Sequence, residues 1–147
     1  MSLTITGATG IQLKLNKLVL GFVESDKKLV KIVSEARNRM RKRTNDGKTA
    51  SGGASPELNE KYQAYKISKG KRGFRDLHFT GNTLNNMDVK RIPRGAMIYF
   101  GSEESRKIAH AHNFGRKQKR FSFFRLGKDN EQYIFNEWRK PIKKALR

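Results

Sequence analysis

His110 and His112 are the residues best suited by type to hold a metal ion, and they stand two positions apart. Helical ligands that share a face stand three or four apart, so this pair points in different directions. Glu103 and Glu104 are adjacent and diverge in the same way, with no third partner to complete an acid–base pair or a metal cage. Their ordinary use is favourable charge at a helix start. Gly47-Lys48-Thr49 matches the end of a phosphate-cradling loop, but that motif needs a glycine five residues before Gly47, where Lys42 stands. There is no Cys, which removes disulfides and thiolate metal sites. The chain is expected to be non-enzymatic, with no catalytic residue, no metal and no cofactor.

A different chemistry is suggested by Arg116–Lys128, where Arg116, Lys117, Lys119, Arg120, Arg125 and Lys128 interleave with Phe121, Phe123 and Phe124. Cations alternating with aromatics make a single-strand binding platform. The same composition makes an edge strand, with Phe121 and Phe123 on one face and Phe124 on the other. Intramolecular core, subunit interface and base stacking are all open uses of these rings. The formal charge of +20 opposes compaction and self-association unless something negative is near. Nucleic acid, an acidic subunit or an anionic membrane face would satisfy it, and charge alone does not choose. The candidate contacts for a partner or for DNA are Lys42, Arg43, Lys48, Lys71, Arg72, Arg116, Lys117, Lys119, Arg120 and Phe124.

The elements that must position these groups are readable in part. The 147 residues fit one domain, 1–147, large enough to bury a core. Ile11, Leu13 and Leu15 alternate as in a short strand, whereas Leu18, Phe22, Leu29, Val33, Ala36 and Met40 follow helical steps and favour a long basic helix. Gly21 and Ser25-Asp26 could split it, leaving a second helix over about 27–43. Residues 44–55 read as an extended, flexible polar loop or arm, in which Asp46-Gly47 favours positive backbone angles.

Ser55 as cap, Pro56 in the first turn and Gly70 as stop predict a helix over about 56–69, with Leu58, Tyr62 and Tyr65 on a core-facing stripe. Gly81 predicts a reversal. Residues 85–91 and 96–101 alternate as strands around Pro93-Arg94-Gly95, an antiparallel hairpin. Ser102 caps a short helix closed by Gly115. Asp129 or Asn130 starts a last amphipathic helix with Ile134, Trp138, Ile142 and Leu146 on one stripe, which Pro141 should kink or divide. The fold class is α+β: a small antiparallel sheet packed against a long basic helix, with a polar loop and a C-terminal amphipathic helix. No apolar run approaches the roughly 20 residues of a spanning helix, and Met1–Gly10 has no secretory pattern, so a cytosolic protein without membrane contact is expected.

Between Arg37 and Leu126 the motifs occur in a particular order: Asp46-Gly47-Lys48, Tyr62–Gly70, Leu77-His78-Phe79-Thr80-Gly81, Tyr99-Phe100-Gly101-Ser102, His112-Asn113-Phe114-Gly115 and Arg120–Leu126. That order resembles the virion morphogenesis proteins of tailed phages, the small tail-completion or head–tail joining subunits. The resemblance implies a non-enzymatic virion part, assembled in the host cytoplasm as a homo-oligomeric ring at the neck or tail terminus. Its partners would be neighbouring neck, connector or tail proteins with acidic surfaces, and packaged DNA in the channel. The competing reading is a cellular nucleic-acid-binding protein, for instance a ribosome-associated one.

Overall fold

The computed structural model describes residues 8–93, 95–115 and 119–147, apart from the side chains of residues 8–22 and 24. The α+β class holds, with five helices and one two-stranded antiparallel sheet among the described residues. The first helix, α1, runs unbroken over Ala8–Asn45, about 57 Å at 1.5 Å per residue. It therefore includes Ile11, Leu13 and Leu15, which form no strand, and it passes through Gly21 and Ser25-Asp26 without a break. Ser25 does not cap because its hydroxyl donates to the Trp138 carbonyl at 2.7 Å, binding α1 to the last helix.

At its other end α1 closes on Gly47, whose φ of +68° is the left-handed geometry anticipated for Asp46-Gly47. The Lys48 N–H reaches the Arg43 carbonyl at 3.0 Å and the Gly47 N–H reaches Thr44 at 3.0 Å, which satisfies two otherwise orphaned helix carbonyls. The polar loop then folds back. Lys48 and Ala54 form an isolated bridge, Thr49 N–H donates to the Gly53 carbonyl at 2.7 Å, and Ser55 N–H to the Gly47 carbonyl at 2.6 Å.

Helix α2 spans Glu60–Ser68, four residues later than Pro56 suggested. Ser55 is held in the loop closure, and Asn59 caps instead, its side-chain oxygen accepting from Lys61 N–H at 3.0 Å. Gly70, at φ +67°, stops α2 as expected. A one-turn helix, α3 (Asn82–Asn85), follows the left-handed Gly81 and was not signalled in the sequence.

Strands β1 (Met87–Ile92) and β2 (Gly95–Phe100) pair antiparallel from Met87↔Phe100 to Ile92↔Gly95; the turn expected at Pro93-Arg94-Gly95 includes Arg94, which lies outside the described residues. Met87 and Val89 share a sheet face with Ile98 and Phe100. Both strands pack on α1. Ser102 caps α4 (Glu103–Phe114), accepting from Ser105 N–H at 3.1 Å, and Gly115 ends it.

Residues 119–127 form no edge strand, because their backbone is paired by side chains and a loop. Arg75 donates to the Lys119 carbonyl at 2.8 Å, Arg43 to Phe123 and Arg125 at 3.0 and 2.8 Å, and Ala50 N–H to Ser122 at 2.9 Å. Phe124 N–H donates to the Asn113 side chain at 3.3 Å. A tight Phe123 N–H to Phe121 carbonyl contact of 2.8 Å bends the segment. The bend lets Phe121 and Phe123 bury completely beside Met40, Leu84, Met87 and Phe100. Of the three uses left open for these two rings, intramolecular core is the one realised.

The last helix, α5 (Lys128–Ala145), starts after Gly127 without a side-chain cap; Asn130 is buried inside the first turn. Pro141 lies within the helix, buried, and starts no separate turn. α5 lies along α1, and Ile32, Val33 and Ala36 are buried on the α1 side. Leu146, expected on the apolar stripe, is exposed.

Candidate functional site

The structure gathers some of the sequence-derived cations and separates others. Lys42, Lys48, Lys71 and Arg72 are all exposed around the C-terminal end of α1, and the Arg72 guanidinium donates to the Asn45 carbonyl there at 2.7 Å. Lys48 and Arg43 line a hollow of about 880 Å³ with Ser51, Ser122, Arg125 and Lys128. Asp129 and Glu131 line it too, so the hollow is mixed in sign. Lys71 and Arg72 border a separate, smaller hollow of about 260 Å³ with Asn45, Asp76 and His78. Lys119 and Arg120 are exposed on the approach to Phe121, while Arg116 and Lys117 lie outside the described residues.

Two candidates have their chemistry turned inward. The Arg43 guanidinium is half-buried and carries the Phe123 and Arg125 carbonyls, so it clasps the 119–127 segment to α1. Burial lowers its pKa from the ordinary arginine value, while Asp129 acts in the opposite sense. Phe124 is half-buried, its ring centroid 4.6 Å from that of Phe100. With Phe121 and Phe123 fully buried, the basic-aromatic segment presents no row of rings to bases.

Arg75 performs a similar clasp at the other end of the segment, and burial lowers its pKa as well. Burial also pushes the nearby His112 imidazole below its usual range, and the Arg75 guanidinium pushes it the same way. Among the described residues no three His, Asp or Glu side chains gather closely enough to hold a metal ion. No described helix is long and apolar enough to cross a membrane.

Sequence reasoning missed the exposed apolar surface. Tyr62 and Tyr65, expected in the core, are 44% and 48% exposed and cluster with Phe79, ring centroids 5.7–6.4 Å apart. Lys66 is the one buried residue of α2; its ammonium donates to Asp76 at 2.8 Å and to the Phe74 carbonyl at 2.7 Å. Elsewhere, Phe135 and Met97 are exposed at the two ends of an apolar groove between α1, α5 and β2. The signal for the tyrosines was the weak apolar character of their helix: outside the tyrosines, α2 offers only Ala64 and Ile67.

Comparison of the chain with family models, curated proteins and solved structures finds no match.

Proposed function

We propose that this chain is a non-enzymatic structural subunit of a tailed-phage virion, forming a ring at the head–tail neck or the tail terminus. The observation that carries the reading is the order of motifs from Asp46-Gly47-Lys48 to Arg120–Leu126, which resembles that of tail-completion and head–tail joining subunits. Large exposed side chains support an assembly part: Tyr62, Tyr65, Ile67, Phe114 and Phe135 are all uncovered in a single chain. A charge of +20 then calls for acidic neighbours, either neck, connector and tail proteins or DNA in the channel.

The second reading, a cellular nucleic-acid-binding protein, rests on the same charge and on the exposed cations around the end of α1. The burial of Phe121 and Phe123 weighs against its base-stacking form.

Mass spectrometry of density-purified, nuclease-treated particles tests the proposal. A fixed, small stoichiometric fraction relative to the shell protein is the expected result. Absence from particles, with recovery in ribosomal or nucleic-acid fractions, would overturn it in favour of the second reading.

A further inference from the structure

The chain carries a cationic aromatic ridge on α2 and an apolar groove whose first hollow is edged by Asp26 and Glu131. Lys61, Tyr62, Tyr65 and Lys69 fall within about 100° of one another around α2, forming a single stripe. α2 makes at most slight contact with the other helices and strands, being anchored instead through Lys66 and Asp76. A helix of nine residues is marginal in water unless something packs on it, and this stripe, covered on one side by Phe79 and otherwise about half exposed, is an incomplete element.

The groove begins in a hollow of about 390 Å³ lined by Leu29, Leu126, Ile134, Phe135 and Trp138, and it continues past Val33 and Ile98 to Met97. In a chain with 33 Lys and Arg against 13 Asp and Glu, the charged residues lining the first hollow are Asp26 and Glu131. The Arg139 guanidinium stacks on the Phe135 ring, 5.0 Å from its centroid, and Arg125 enters in the continuation, so the acidic pair is confined to the Asp26 and Glu131 side of the mouth. An acidic partner would meet like charge at this mouth, whereas a basic, aromatic helix face is complementary to it.

Within one molecule α2 stands away from the first hollow, although the continuation of the groove runs back to Met40. Arg72, just after α2, is bonded to Asn45 at the C-terminal end of α1, whereas the hollow flanks Asp26, nineteen residues earlier and about 28 Å away along the helix. We infer that the groove receives α2 of a neighbouring copy, Tyr62 and Tyr65 entering between Leu29 and Phe135 while Lys61 and Lys69 approach Asp26 and Glu131. The contact is head to tail, so repetition closes into a ring when the rotation between copies closes. This inference rests on the ring reading above and names its interface.

Sedimentation velocity of the full chain at about 0.5 M salt, where the Debye length is about 4 Å, tests it with the self-repulsion screened. Two surface variants are used, Tyr62→Ser with Tyr65→Ser, and Glu131→Lys with Phe135→Ser, each checked for wild-type circular dichroism. The wild type is expected to form one closed oligomer. Each double variant alone is expected to be monomeric, its dissociation constant raised about tenfold or more. Mixed together they are expected to form a 1:1 dimer that grows no further, because one retains the groove and the other the ridge.

A monomeric wild type, a variant that assembles like wild type, or a mixture that stays monomeric would each overturn the contact. Particle composition separates this from the ring reading. Both variants entering particles at the wild-type ratio would leave the ring and remove this interface. Solution assembly of a chain absent from particles would do the reverse.

Discussion

Asp76→Asn tests how α2 is held. The Lys66 ammonium and the Asp76 carboxylate are 3% and 4% exposed and 2.8 Å apart, and Asp76 also accepts from His78 N–H at 3.0 Å. Asparagine keeps the shape and the acceptor toward His78 but leaves a buried ammonium without its counter-charge. Removing one partner of a buried pair costs about 3–5 kcal/mol. Because α2 has little other packing, much of that loss should appear as local undocking. Amide exchange across residues 60–71 should accelerate by about 150-fold or more, the equivalent of about 3 kcal/mol. To the extent that the loss is global, the Tm falls by about 2–4 °C per kcal/mol in a chain of this size. Adding Lys66→Met removes the stranded charge and should restore most of the loss, apart from about 1 kcal/mol for the Phe74 carbonyl that loses its donor. Hydrogen exchange with a double-mutant cycle reads both quantities. A cost below about 1 kcal/mol for Asp76→Asn, or a double variant no better than the single one, would refute the claim that this ion pair anchors α2.

Further expectations follow from other parts of the structure. Gly70→Ala meets open space at φ +67° and should cost about 1–2 kcal/mol from left-handed strain. Gly47→Ala should cost clearly more, because its Cβ would stand 2.6 Å from the Phe74 ring at a similar φ; thermal unfolding of the two variants makes the comparison. His112 has a folded-state pKa below its ordinary 6.5, so the unfolded chain binds its proton first. Stability from this group is complete above about pH 6.5 and is lost as pH falls toward the folded value. His112→Gln should therefore flatten that part of the Tm–pH curve, and a curve unchanged in the variant would count against it. Self-association of the isolated chain should be weak at low salt because each copy carries +20, which light scattering across a salt series can check; tight rings at low salt would refute this.

The features readable from sequence are those decided by neighbouring residues. Gly47 and Gly70 close their helices with hydrogen bonds spanning only a few positions, Ser102 caps through Ser105, and β1 pairs with the strand that directly follows it. Misreadings arise where a distant group takes over. Ser25 resembles a cap until its hydroxyl is spent on Trp138. The 119–127 segment has strand alternation, but Arg43, Arg75 and Asn113 take its backbone groups from other elements. Near Pro56 two start signals compete, and Asn59 wins because Ser55 is held by Gly47. The candidate site divides the same way: Lys42 and Lys48 are exposed as charge suggested, while Arg43 turns inward to carbonyls 80 and 82 positions away. The tyrosine stripe has helical spacing, but in its own chain it finds only the Phe79 ring and stays about half exposed.

The bond between Ser25 and Trp138 spans 113 positions, and it belongs to the α1–α5 seam. During synthesis, α1 is made first and can coil locally; Met40 can pack on the hairpin once it is made, but the flank that α5 covers stays open until α5 has been translated. Closing so long a loop makes the seam a late folding event, and the exposed flank is vulnerable in the interval. The groove between Leu29, Leu126 and Ile134 draws its walls from both sides of that seam and from the segment before α5. For the ring contact inferred above, unfinished chains would lack the receptor half, so assembly would wait until translation has passed α5 and nascent subunits would not capture one another on a polysome.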